Sequence, residues 1–280
     1  SVAFVSLYSA LVNIHEVFTM RTFLLAALVL VGMSTAQAAI KTQETSYEVD
    51  GQRYVAFIAY DDKIKGKRPG VLVVHEWWGH TPYVRQRAEM LAKMGYVGLA
   101  LDMYGDGKTA NHPKDAGGFA KAALADFPMA KKRFEAARDL LAKQPQTDSK
   151  HIAAIGYCFG GGVVLNMARA GADLDAVASF HGTLASAMLA EPGAIKAKVF
   201  VANGAADPMV KAEDVIKFNE EMREAKVEYT YIEYPGVKHG FTNPEADRFA
   251  KEFNMPIGYD AHADANSWAM MQTFLQQAFK

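Results

Sequence analysis

A single cysteine, Cys158, stands in the run Gly156-Tyr157-Cys158-Phe159-Gly160-Gly161-Gly162. The apolar stretch Ile152–Ile155 precedes it and a helix-like stretch follows it. G-x-C-x-G is the pattern of a nucleophile elbow with cysteine in place of serine. A sharp strand-to-helix turn strains the nucleophile, and glycines remove side chains that would collide with neighbouring strands. The first N–H groups of the helix then favour the thiolate. Two rival readings of the glycines fail. A dinucleotide fingerprint needs glycine where Cys158 stands, and a P-loop needs a Gly-Lys-Ser/Thr ending. A free cysteine is more often a buried small hydrophobe, but strand, elbow and helix in order favour the nucleophile.

A thiol with a pKa near ~8.5 is only a few per cent ionised at neutral pH, so it needs a base. After an elbow of this kind the chain order is nucleophile, acid, histidine. The histidines beyond Cys158 are His181, His239 and His262. His262 falls at the start of the last helix. His181 ends the strand Ala176–Phe180, near the expected cleft but too early for an acid to precede it. His239 follows the last strand, Val227–Tyr234, through a Pro235-Gly236 turn, and is the expected base. Among Asp173, Asp175, Asp207 and Asp214, only Asp207 combines the right order with the carboxyl end of a strand. It would fix the imidazole tautomer and stabilise the imidazolium.

The segment His75-Glu76-Trp77-Trp78-Gly79-His80 invites a zinc reading, but its histidines are five apart where a helical H-E-x-x-H has four. Its first half reads as strand, so no metal is expected there. It reads better as the loop whose Trp77 N–H completes an oxyanion hole with the N–H of Phe159. Glu76 then lies near the sulfur. Trp78, Tyr104, His181 and Phe241 are expected around the substrate pocket.

These residues need a frame that alternates strand and helix, and the chain supplies it. Tyr47–Asp50 and Tyr54–Tyr60 flank an Asp-Gly turn and read as a hairpin. Val71–Val74 is an apolar run typical of a strand buried on both faces. Thr81–Met94 reads as a helix with Thr81 as N-cap, Pro82 in the first turn and Gly95 as stop. Strands are expected at Val97–Leu101, His151–Gly156, Ala176–Phe180, Val199–Ala202 and Val227–Tyr234. Helices are expected at Asp126–Lys143, Val163–Ala170, Lys211–Ala225 and Ala263–Phe279. The alternation predicts an α/β fold: one domain with a mostly parallel central sheet and helices on both faces. Asp102–Gly118 reads as a long irregular loop after a strand, where such sheets bind ligands.

The 280 residues carry 30 Lys+Arg against 31 Asp+Glu, a formal net charge of -1. That balance gives no basic footprint for nucleic acid or an anionic membrane. The first forty residues stand apart. Met20-Arg21, the apolar run Phe23–Val31 and the small residues through Ala36-Gln37-Ala38 form a signal-peptide pattern. Cleavage after Ala38 leaves residues 39–280, a normal length for one α/β domain. The mature protein is therefore expected in the periplasm or medium, with no membrane segment. Residues 1–19 precede the start-like Met20.

Over residues 45–278 the chain resembles the dienelactone hydrolase family of α/β hydrolases. The matches are His75-Glu76-x-x-Gly79, Leu101-Asp102-Met103-Tyr104-Gly105, Gly156-Tyr157-Cys158-Phe159-Gly160-Gly161, Gly204–Pro208, Tyr234-Pro235-Gly236-x-x-His239-Gly240-Phe241 and the Trp268…Phe274 pattern. The resemblance implies an α/β-hydrolase fold with a Cys158–His239–Asp207 triad, and Glu76 contacting the thiol. It implies hydrolysis of a small-molecule enol-lactone or activated ester without a metal or organic cofactor. Family members that act on dienelactone grip its carboxylate with arginines. Here the position shortly after the triad histidine reads Asn243, and the loop after Tyr104 offers Lys108 and Lys114. The competing expectation is a non-catalytic small-molecule-binding protein on the same scaffold.

Overall fold

The computed structural model describes residues 39–280, so the segment read as a signal peptide and the residues before it lie outside the described residues. The described residues form eight strands and seven helices. The strands are β1 (Ile40–Val49), β2 (Gln52–Asp61), β3 (Arg68–Val74), β4 (Val97–Leu101), β5 (Thr147–Tyr157), β6 (Ala176–Phe180), β7 (Lys198–Gly204) and β8 (Tyr229–Tyr234). The helices are α1 (Pro82–Lys93), α2 (Pro113–Leu124), α3 (Phe127–Ala142), α4 (Phe159–Arg169), α5 (Ala212–Glu224), α6 (Ala246–Phe253) and α7 (Ala261–Ala278).

One sheet holds all the strands in the order β1-β2-β4-β3-β5-β6-β7-β8. β1 and β2 pair antiparallel, as do β2 and β4; every later pairing is parallel. The opening hairpin turns through Asp50 (φ 49) and Gly51 (φ 81), the two left-handed residues that a tight hairpin turn requires. Side chains alternate along the buried strands. Leu72 and Val74 pack with α2, α3, α4 and α5, whereas Val71 and Val73 face α1 and α7. This period of two explains why β3 is apolar throughout: both of its faces are covered.

The chain reverses its direction of travel across the sheet at β3, which lies between β4 and β5. Such a switch point leaves a crevice at the carboxyl ends of the strands. Glu76, Cys158, Asp207 and His239 all follow carboxyl ends, after β3, β5, β7 and β8 respectively.

Two expectations need correction. The stretch after β4 is not one loop to Gly118, because α2 begins at Pro113. His112 caps it, its ring nitrogen accepting from the Lys114 N–H at 3.1 Å, and Pro113 is preset for the first helical position. The loop that remains is pinned by buried Asp102. Its carboxylate accepts the N–H groups of Val55 (3.3 Å), Tyr104 (2.8 Å), Gly105 (2.9 Å) and Gly107 (2.8 Å). The second correction is α6, an extra helix beyond His239. Among the described residues no helix is long and apolar enough to cross a membrane.

Candidate active site

Cys158 sits between β5 and α4 with φ 53 and ψ −114, a conformation that side chains rarely adopt. Its N–H donates to Phe180 O at 3.0 Å, and its carbonyl accepts from Gly162 N at 3.2 Å. The turn is thus tied to β6 on one side and to α4 on the other. The Phe159 amide opens α4, where a helix offers no internal acceptor. The Trp77 amide makes no hydrogen bond to a described residue, while its carbonyl accepts the Tyr104 hydroxyl at 3.0 Å. Both N–H groups are therefore available to an oxyanion.

His239 donates from Nδ1 to Asp207 Oδ2 at 2.8 Å, and the aspartate side chain is fully buried. The other carboxylate oxygen, Oδ1, accepts the Met209 N–H at 2.8 Å, so Asp207 is fixed at both ends. Nε2 of His239 is buried and shares a chamber with Cys158. Burial alone would depress this imidazole. The thiolate charge of Cys158 and the bond to Asp207 outweigh burial and push it up to about 10.

Glu76 lines the same chamber and is buried. Desolvation raises its carboxyl to about 7, against a smaller opposing effect from Asn243, whose Nδ2 donates to Oε2 at 2.5 Å. Asn243 therefore occupies the glutamate, and its own Oδ1 accepts the Glu245 N–H at 2.9 Å. A raised carboxyl binds its proton more tightly folded than unfolded, so its stability contribution is full below about 4.5 and is lost as pH rises through about 7. Glu76→Gln is accordingly expected to raise stability at pH 8, by about 3.5 kcal/mol at ~1.4 kcal/mol per pKa unit, and to leave it unchanged at pH 4. Thermal melts of both proteins at the two pH values read this directly. An equal shift at both would contradict it.

The histidines of the 75–80 segment are engaged separately. His75 donates from Nδ1 to Glu76 O (2.6 Å) and accepts the Met103 N–H at Nε2 (3.2 Å), and burial lowers it to about 4. His80 donates to Ala100 O at 3.0 Å. Among the described residues no group of three or more His, Cys, Asp or Glu is placed to hold a metal.

The expected pocket residues divide. Trp77 and Trp78 line the chamber. Tyr104 does not line it: its ring packs on His75 and Phe159 and borders a separate cavity with Phe119 and Arg133. Phe241 and His181 do not line the chamber, because both are fully buried behind the histidine. The His181 ring is 5.0 Å from that of His239, centroid to centroid, and Nε2 lies 2.7 Å from Thr242 Oγ1. Burial holds His181 well below the usual imidazole range, so it backs His239 as an uncharged ring. Thr242 is held in turn by Tyr83 (2.6 Å) and by Arg87, which donates to its carbonyl and to Asp264, each at 2.7 Å. The chamber residues Met209, Phe249, Met255 and Ile257 escape a reading by motif. Only the Phe249/Phe253 spacing, one helical turn apart, signals the helix that presents Phe249.

The sheet, its strand order and the side chains gathered at its carboxyl edge define an α/β hydrolase. Within that class the chain belongs to the dienelactone hydrolase family, whose sequence model matches residues 55–279. A dienelactone hydrolase-like promiscuous phosphotriesterase from metagenomic libraries is 32% identical, with a TM-score of 0.79 over 86% of this chain and 100% of its own. The solved protein m3DLH is 33% identical, with a TM-score of 0.81 and the same coverage of both chains. A relative from Aquifex aeolicus (strain VF5), named for carboxymethylenebutenolidase activity, is 25% identical over 85% of this chain and 99% of its own length.

Proposed function

We propose that this chain hydrolyses carboxylic esters or lactones through an acyl-thioester on Cys158. One observation carries the reading: a thiol on a strained turn at a helix N-terminus shares a chamber with a histidine whose far nitrogen is held by a buried aspartate. With His239 pushed up to about 10, its ring carries a proton at neutral pH, the partner charge that a reactive thiolate requires. The thiolate attacks the carbonyl carbon, and the oxygen takes up the π electrons while the Phe159 and Trp77 amides donate to it. Collapse of the adduct breaks the ester C–O bond, and the leaving alkoxide takes the Nε2 proton. Water then attacks the thioester and gives its proton to the neutral imidazole, and the thiolate departs. The net change is ester plus water to acid plus alcohol. Each oxyanion donor typically contributes ~100–1,000-fold in rate.

Among the described residues no lysine or arginine lines the chamber, and its ionisable groups are Glu76, Cys158 and His239. Asn243, where the family resemblance implies an arginine, is bound to Glu76. The lining therefore favours uncharged esters over carboxylate-bearing ones. It suits an uncharged phosphotriester equally, the substrate class in the name of the metagenomic relative.

The reading is tested by trapping. On mixing with 4-nitrophenyl acetate and rapid acid quench, mass spectrometry should find one acetyl group on the peptide carrying Cys158. Turnover without an acylated species, or acylation elsewhere, would overturn it. We further propose export on the pattern of residues 20–38, so that protein recovered from the periplasm or medium begins near Ala39 in the same spectra. A chain there that still starts at Met20 would contradict a cleaved signal peptide, and its absence from both fractions would refute export.

A further inference from the structure

The chamber at Cys158 has a volume of about 80 Å³. Beside it lies a second cavity of about 660 Å³, within the ~300–1,000 Å³ range typical of small-molecule sites. The two cavities share Trp78 and Phe249 as lining residues. Those rings stack at 4.4 Å between centroids with 26° between planes, so together they form the wall. The larger cavity is faced with aromatic and proline surface and with amides. Its one cation, Arg248, is paired with Glu245 and Glu252 at 2.7 Å each. It offers room and stacking surface to an uncharged group, and no free cation for an anion.

We propose that Phe249 is the specificity-determining residue of this active site, the partition that limits the ester to a small one and closes off a ready-made site for a bulky uncharged substituent. This rests on the reading of Cys158 as nucleophile. Trp78 is held by the 75–80 loop and buried at 4% exposure. Phe249 projects from α6, which packs on a satellite cluster of Trp78, Ala110 and Ala116 apart from the two main cores. Removing the Phe249 ring joins the cavities while the sheet, the elbow and the Asp207–His239 pair stay in place.

The test is a ratio. For wild type, kcat/KM should fall steeply from 4-nitrophenyl acetate to the octanoate, and from methyl to naphthyl among acetate esters. Phe249→Ala is expected to raise the bulky-to-small ratio at least tenfold in one of the two series, and Phe249→Leu to raise it less. Phe253→Ala serves as control, because Phe253 belongs to the same cluster but lines neither cavity. It should leave both ratios at the wild-type value even if it lowers stability. Unchanged ratios in Phe249→Ala, or an equal change in Phe253→Ala, would overturn the proposal. A failure of the nucleophile reading would show differently, as turnover that survives Cys158→Ala.

Discussion

Cys158→Ala is expected to lower kcat/KM for a small aryl ester by on the order of 10⁴-fold or more, leaving the slow reaction that binding and an oxyanion hole sustain alone. His239→Gln should fall about as far, since each removes one half of a unit that works together. Asp207→Asn is the more discriminating change. It keeps the shape, but a neutral amide gives an imidazolium far less support, and one of the groups that raise the histidine to about 10 is lost. A loss of about 10³–10⁴-fold is expected from the wrong tautomer and the lost charge. The double variant Cys158→Ala/Asp207→Asn should lose little more than Cys158→Ala alone. Initial rates with 4-nitrophenyl acetate, beside thermal melts showing folded protein, measure all four. Rates in Cys158→Ala equal to wild type would remove the thiol from the mechanism and return the chain to a binding role.

The placement of Cys158, Asp207 and His239 was legible in the sequence because each sits where the backbone pattern changes abruptly. β4 and β6 follow their apolar runs residue for residue, Val97–Leu101 and Ala176–Phe180, since strands buried on both faces are apolar almost throughout, with Ser179 the one polar residue in the two. Once those strands were ordered, Asp207 was the carboxylate that fell at a carboxyl end between Cys158 and His239. Elsewhere local pattern competed with tertiary packing. Gly117 and Gly118 read as loop, yet capping at His112 and the first-turn Pro113 carry the helix through them. No element is read between His239 and the last helix, yet the chain there forms α6, whose Phe249 and Phe253 face a satellite cluster. The direction of a side chain at a strand exit is not written in spacing. His181 leaves β6 at φ 40, which turns its ring behind His239 and away from the chamber. Four pocket residues come from segments distant in sequence, so only the folded chain shows them together.

The four small residues of the elbow are not equivalent, and the difference predicts opposite signs of effect for neighbouring substitutions. A Cβ on Gly160 would lie 2.3 Å from Val74 O and 2.7 Å from His75 O. One on Gly156 would lie 2.1 Å from Gly160 O. In each case the obstacle is backbone, which cannot swing aside as a flexible side chain would. The first turn of α4 is therefore pressed against the end of β3 with no atom to spare. Gly160→Ala must push α4 away from β3, with an expected loss of ~4 kcal/mol or more, the range reserved for gross core disruption. Activity should fall further than stability, since the oxyanion donors separate as the helix moves. Gly162, two residues on, meets nothing closer than Thr183 O at 3.5 Å and has ordinary helical backbone. Gly162→Ala is expected to stabilise by ~0.5–1 kcal/mol, because alanine loses less backbone entropy in a helix. Urea unfolding of the two single variants decides the matter. Similar midpoints for Gly160→Ala and wild type would mean that the close approach is not what the elbow requires. A gain confined to Gly162→Ala would show that the glycine run is set residue by residue by what lies against it.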